Sequence, residues 1–282
     1  MIESPDVPRT GPREPVAEAP PRRPRRRALW IFVAAVTAFV VIVPNGVQIW
    51  GRLIRQTQQS RLMADTHRIT ALEVDIGPGD LSVTAGGTGG VTVDQTLKWA
   101  TRKPHVQATW EGTTLRLKGA CVSWGQFSGL SCSVGLQIRV PAGVALRATS
   151  TSGAVAATGL TGPVRLSTTS GVVSMRNLTG PVWARASSGV IEGIGLRSGR
   201  VDAALSSGAL DLTFAAAPQE VTARARSGAL SVFVPPGQRY HVTTKSSFGD
   251  PSIDRGLADD TATRRIDAQT SSGSIEIRYI RP

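Results

Sequence analysis

In the second half of the chain six Ser-Gly pairs each stand before a short alternating apolar run: Ser152-Gly153, Ser170-Gly171, Ser188-Gly189, Ser207-Gly208, Ser227-Gly228 and Ser272-Gly273. A repeated serine invites a nucleophile reading. Such a serine needs a base within hydrogen-bond reach and donors for an oxyanion. His241 is the only histidine of this region, and no Gly-x-Ser-x-Gly elbow is present. Many copies of one motif also do not make one active site, so the serines are read as part of a recurring bend.

Carboxylates and sulfur offer little more. Glu192 and Asp211 fall at equivalent repeat positions, with Asp202 on the other strand. A polysaccharide-degrading site would need such groups to converge, and these are read as solvent-facing. Asp250, Asp254, Asp259 and Asp260 share one loop but lack the order of a calcium loop. His67, His105 and His241 are far apart, and no Cys-x-x-Cys occurs. No metal or other cofactor is expected. Cys121 and Cys132 are expected to close a loop as a disulfide if this region lies outside the membrane, a closure worth about 2–3 kcal/mol.

Arginine gives the more informative series. Arg147, Arg165, Arg185, Arg224 and Arg226 lie shortly before a Ser-Gly, alternating with aliphatic residues. They are expected to form a basic stripe on one outer wall, suited to an anionic envelope polymer or lipid head groups. Solubility and edge protection are the alternative roles of arginine there.

The elements that must position these residues follow from pattern. The chain has 282 residues and a formal charge of +12. That charge is spread: +3 in Met1–Arg27 and +6 from Ile69 to Pro282. With no recognition helix or aromatic platform, nucleic-acid binding is not expected. Met1–Arg27 is Pro-, Glu- and Arg-rich and reads as a disordered cytoplasmic tail. Residues Ala28–Trp50 are apolar enough for a single transmembrane helix with Trp30 and Trp50 at the interfaces. Five arginines packed directly before this span outweigh four spread after it, which places the long remainder outside. A cleaved signal peptide is the alternative, but no small-x-small site follows the apolar core. Gly51–Arg68 reads as a short helical or extended stalk.

From Ile69 the pattern has period two, broken by Gly-rich turns, so the domain is all-β. Residues 69–140 form an N-terminal β portion carrying the Cys loop, and 141–282 a repeat portion. The Ser-Gly glycines step by 18, 18, 19 and 20 residues from 153 to 228, the mark of a repeat architecture. Two residues after each glycine come Val155, Val173, Ile191, Leu210, Leu230 and Ile275. Four after come Ala157, Met175, Gly193, Leu212, Val232 and Ile277. In a strand these share a face, so one face is a buried aliphatic wall. A second strand per repeat opens at Thr161 and Thr179 with Thr-Gly-Pro-Val. The predicted fold is a β-solenoid or β-roll of rungs, each two strands and two bends. An antiparallel meander is the alternative. Pro251 in the weak copy near Gly249 predicts an irregular or edge rung. The final copy ends near the C-terminus, which reads as a poorly capped end.

Ile138–Met175, with Val140-Pro141 followed by Ser150-Thr151-Ser152-Gly153, resembles the putative-adhesin domain of bacterial envelope proteins. The resemblance covers about Ile69 to Arg281. It implies a β-solenoid surface domain linked in some relatives to adhesion or envelope-stress sensing, and brings no catalytic residues. The chain is thus expected to be a non-enzymatic, membrane-anchored binding or sensing module. A carbohydrate-active enzyme and a scaffold that self-associates into homo-oligomers are the alternatives.

Overall fold

The computed structural model describes residues 30–39, 56–86, 90–100, 102–121, 132–247 and 251–280. The chain divides into two units, Met1–Trp50 and Gly51–Pro282. In the first, residues 30–39 form a helix with every side chain exposed. Among the described residues no helix is long and apolar enough to cross a membrane. The tail Met1–Arg27 and the rest of the expected span lie outside the described residues.

Among the described residues, the second unit is one sheet of sixteen strands. In chain order these are β1 Gln56–Asp65, β2 Ala71–Pro78, β3 Leu81–Ala85, β4 Val91–Trp99, β5 His105–Glu111, β6 Thr114–Ala120, β7 Ser133–Val140 and β8 Ala145–Thr158. There follow β9 Val164–Arg176, β10 Val182–Leu196, β11 Arg200–Phe214, β12 Glu220–Val234, β13 His241–Ser246, β14 Ser252–Ile253, β15 Arg265–Ser272 and β16 Ile275–Tyr279. Strands β8 to β12 each pass through a Ser-Gly bend. Their first halves stack as one wall and their second halves as another. Pairing is parallel, with Gly153 opposite Gly171, Gly171 opposite Gly189, Gly189 opposite Gly208 and Gly208 opposite Gly228. That rules out the antiparallel meander for the repeats and gives an all-β, solenoid-like stack.

The bend demands glycine on two counts. Gly171 and Gly189 have φ of 141° and 123°, a region L side chains rarely adopt. A Cβ on either would also overlap the carbonyl oxygen of the glycine one rung earlier. The hydroxyl that ties the bend is not that of the Ser-Gly serine. Thr168 Oγ1 donates to the Ser170 carbonyl at 3.4 Å, and Ser150 Oγ to the Ser152 carbonyl at 3.1 Å, while Ser170 itself is exposed.

The aliphatic columns are buried as their spacing predicts. Val155, Val173, Ile191 and Leu210 are 0% exposed on the second wall, and Val164, Val182, Val201 and Val221 likewise on the first. At Gly193 the column lacks a side chain. Leu196 fills that space, with Cδ1 only 2.7 Å from where a Gly193 Cβ would stand, and the register of β10 shifts between the two residues. Stacked rungs thereby bury one continuous core that no single rung could.

At both ends the order of rungs departs from the order of the chain. The β2–β3 rung, first in sequence, lies between β6–β7 and β8. The final rung, β15–β16, inserts between β12 and β13–β14. The last copy is therefore an interior rung, and the Pro251 copy forms the end, with β14 only two residues long. This corrects the expectation of an open C-terminal rung. Tyr240 and Leu257 are buried at that end. The opposite end carries antiparallel strands: β5 on β6, β4 on β7 and β1 on β4. Within the segment read as a stalk, Gln56–Asp65 is thus an edge strand of the sheet. Cys121 and Cys132, at the end of β6 and just before β7, are joined as a disulfide with Cα atoms 6.0 Å apart.

Two outcomes are expected. Gly189→Ala lowers unfolding free energy by at least about 2 kcal/mol, while Ser188→Ala changes it by less than about 0.5 kcal/mol; urea melts followed by circular dichroism check both. A chain ending at Thr263 lacks an interior rung and loses its cooperative thermal transition, whereas loss of a mere end rung would leave that transition in place.

Candidate functional site

Because every repeat is held in register by its glycine, outward side chains fall into columns numbered back from it. Six residues before the glycine stand Glu73, Arg147, Arg165, Trp183, Asp202, Thr222 and Asp267. Four before it stand Asp75, Thr149, Ser167, Arg185, Ala204, Arg224 and Gln269. The ladder confirms both as unbroken lines across the first wall. The expected basic stripe is therefore two adjacent columns rather than one. Arg147 and Arg165 share the first, and Arg185 and Arg224 the second. Arg226, two before its glycine, sits exposed at the bend.

The arginines differ in what holds them. The Arg165 guanidinium lies over the Trp183 ring, 4.7 Å from its centroid, a cation–π contact. Arg185 donates to Asp202 Oδ2 at 2.8 Å and to the Asp202 and Ala184 carbonyls at 2.8 and 3.0 Å. Arg224 stands 3.7 Å from Asp202 and 3.8 Å from Asp267. Farther along, Arg116 bridges Glu73 and Glu111 at 2.9 and 2.7 Å. Among the described residues, Arg147, Arg165 and Arg226 have no carboxylate partner. Arg147, Arg165, Trp183 and Arg185 together line an open depression of 420 Å3 floored by Ala148 and Leu166, with the hydroxyls of Thr149 and Ser167 beside them.

The other candidates do not assemble. The Ser-Gly serines form a ladder at the bend, exposed except for the half-buried Ser152, with His241 instead directed at the Asp260 carbonyl, 3.3 Å away. Glu192 and Asp211 are register partners on the outer face of the second wall, while Asp202 is on the first. Glu192 is also engaged by Arg176 at 3.4 Å. Asp254 accepts from the Tyr279 amide at 3.0 Å, and Asp259 caps Thr261. Those Thr261 bonds, with Arg239, hold the Asp259 carboxyl below its usual range. Asp250 lies outside the described residues. Burial pushes the Tyr240 hydroxyl up to about 12. No group of three potential metal ligands occurs among the described residues.

Reading the sequence by arginine alone missed Trp183 and Asp267, and grouped Asp202 with Glu192 and Asp211 rather than with the arginines it pairs. Their offset from the glycine was the signal that finds them.

Residues 56–280 match the model of the Toastrack DUF4097 family, and the chain belongs to that family. This bears out the resemblance read from the Ser-Gly strands. Comparison with curated proteins finds no significant match. Among solved structures, a putative cell adhesion protein from Clostridium sporogenes aligns at 12% identity and a TM-score of 0.38, over 80% of this chain and 100% of that one. A putative adhesin from Bacteroides fragilis aligns at 13% and 0.41, over 80% and 97%. A putative lipid binding protein from Parabacteroides distasonis aligns at 10% and 0.29, over 80% and 97%. At these scores the likenesses say nothing of ligand or activity.

Asp202 restrains the positive potential of the face. Asp202→Asn is expected to raise affinity for an anionic polymer such as heparin about two- to five-fold, by titration calorimetry, because exposed pairs are worth up to about 1 kcal/mol. Stability in urea melts should fall by about 1 kcal/mol, because Asp202 stands between Arg185 and Arg224.

Proposed function

We propose that this chain is a non-enzymatic, adhesin-like binding module of the cell envelope, and that the outer face of its first wall binds an anionic envelope polymer. The observation that carries this reading is the meeting of Arg147, Arg165, Trp183 and Arg185 in one depression. Two of those arginines have no carboxylate partner among the described residues. A rigid sheet face that holds cations, an aromatic ring and hydroxyls at fixed spacing is suited to recognition. It offers neither a nucleophile with its base nor converging carboxylates.

A polymer is favoured over lipid head groups because, among the described residues of the second unit, the exposed large hydrophobic ones are Val172 and Ile194, and both lie on the other wall. Anchoring by Ala28–Trp50, with the tail cytoplasmic and the β domain extracytoplasmic, belongs to the same proposal. The Cys121–Cys132 disulfide supports an oxidising compartment for that domain.

The full-length chain in detergent, carrying Arg147→Glu, Arg165→Glu and Arg185→Glu together, is expected to bind isolated bacterial cell wall about ten-fold or more weakly. Glu192→Lys on the second wall should leave binding unchanged. Equal binding by the triple variant overturns the reading. Loss confined to phosphatidylglycerol vesicles would move the partner from polymer to lipid.

A further inference from the structure

The basic cluster is part of a longer feature. Four open depressions, of 440, 420, 260 and 560 Å3, run across the first wall and share lining residues in sequence. Arg147 and Thr149 belong to the first two, Ser167 and Arg185 to the second and third, and Leu205 and Ser206 to the last two. They form one trough perpendicular to the strands. It crosses β6, β2, β8, β9, β10, β11, β12, β15 and β13, nine strands linked pair by pair. Eight strand spacings amount to about 38 Å.

Charge along this trough alternates with the strands. Cations stand on every second one: Arg116 and Lys118 on β6, Arg147 on β8, Arg185 on β10, Arg224 on β12 and Lys245 on β13. Between them the outward columns carry acids: Glu73 and Asp75 on β2, Asp202 on β11 and Asp267 on β15. The one break is β9, where Arg165 is stacked on Trp183. The cation repeat is therefore two strand spacings, about 9.6 Å, with carboxylates and hydroxyls midway.

We infer that the trough takes an extended acidic glycan bearing one anionic group per disaccharide, laid along the stack axis. This rests on the proposed anion-binding role of the same face. The repeat matches the order of length of an extended disaccharide. Cations meet the charged sugar of each unit. The intervening Asp75, Asp202, Asp267 and Ser167 offer acceptors and a hydroxyl to the neutral sugar, where an anion would be repelled. A polymer charged on every sugar would set half its anions against these acids. The trough accommodates about four such disaccharides.

The test is calorimetry on the full-length chain with hyaluronan oligosaccharides of one to six disaccharides, which carry one carboxylate per disaccharide. Oligogalacturonates, charged on every sugar, and neutral cello-oligosaccharides are the comparisons. Affinity for hyaluronan oligosaccharides should rise with each disaccharide to about four and then level off. Lys118→Glu and Lys245→Glu, at the two ends, should weaken the tetramer of disaccharides about five-fold or more and leave a single disaccharide unaffected, while Arg185→Glu weakens both. Affinity that does not grow beyond one disaccharide, or oligogalacturonate binding more tightly at equal length, overturns the inference and leaves the anion-binding face standing. Failure of every acidic oligosaccharide to bind, or binding only to phosphatidylglycerol vesicles, overturns the inference together with that reading.

Discussion

The stack depends on one close approach of backbone to backbone. At each Ser-Gly bend the α-carbon of one glycine lies against the carbonyl of the glycine in the preceding rung, so closely that no Cβ fits between. The same residue holds a positive φ that only glycine adopts freely. This fixes where each long strand leaves the first wall and enters the second. It also fixes register, since a slip of one residue would bring a side chain into the contact and turn every inward residue outward. Gly79 and Gly273 extend the column to rungs outside the regular repeat. The aliphatic core and the outward charge columns are both consequences of that alignment.

The core that results is thin. On the first wall its central column runs Ala148, Leu166, Ala184, Ala203, Ala223 and Ala268, all buried. Alanine removes little apolar area from water, at about 25 cal/mol per Å2. Larger buried residues stand on the second wall, among them Met175, Leu212, Phe214 and Ile277. Small residues opposite large ones allow the two walls to approach without voids. Cohesion then rests on the ladder hydrogen bonds repeated between rungs. Even the turns take part: the Pro163 carbonyl accepts from Leu146 and the Pro181 carbonyl from Val164, at 2.8 and 2.9 Å. Proline costs nothing there, because its acceptor is used and its missing donor is not needed.

What the sequence makes legible is local. The Ser-Gly step, the inward columns two and four residues later, and the edge position of the Pro251 copy all follow from periodicity. The stacking order at the ends does not. Nothing in the spacing of Ser272-Gly273 says that its rung enters between β12 and β13. That placement is decided by which neighbour offers the better ladder. A full rung such as β15–β16, with Ile266, Ala268, Ile275 and Ile277 inward, belongs in the interior. A rung interrupted at Pro251 can pair well on one side only. The same physics places β2–β3 inside β6–β7, whose connection is an eleven-residue step closed by a disulfide rather than a glycine bend. The two-column nature of the arginines was open to reading by offset from the glycine. Lys118 was not, because its strand leads into the Cys loop and has no such marker.

A parallel stack creates an electrostatic problem that the outer face has to solve. Identical positions on successive strands are only about 4.8 Å apart. Two like charges at that distance repel by about 3 kcal/mol at an effective dielectric of 20, and by half that two strands away, where salt also screens them. A continuous column of arginine would therefore strain the ladder it sits on. The first wall instead places Asp202 beside both Arg185 and Arg224, and Asp267 on the far side of Arg224. Where Arg147 and Arg165 do stand on neighbouring strands, the second is drawn over Trp183. The alternation of charge is thus first a condition for stacking basic strands at all. Because glycine has already fixed the rung spacing, that condition also sets cations at a regular interval along the stack. The repeat that stabilises the empty face is the same repeat that a periodic anionic chain would meet.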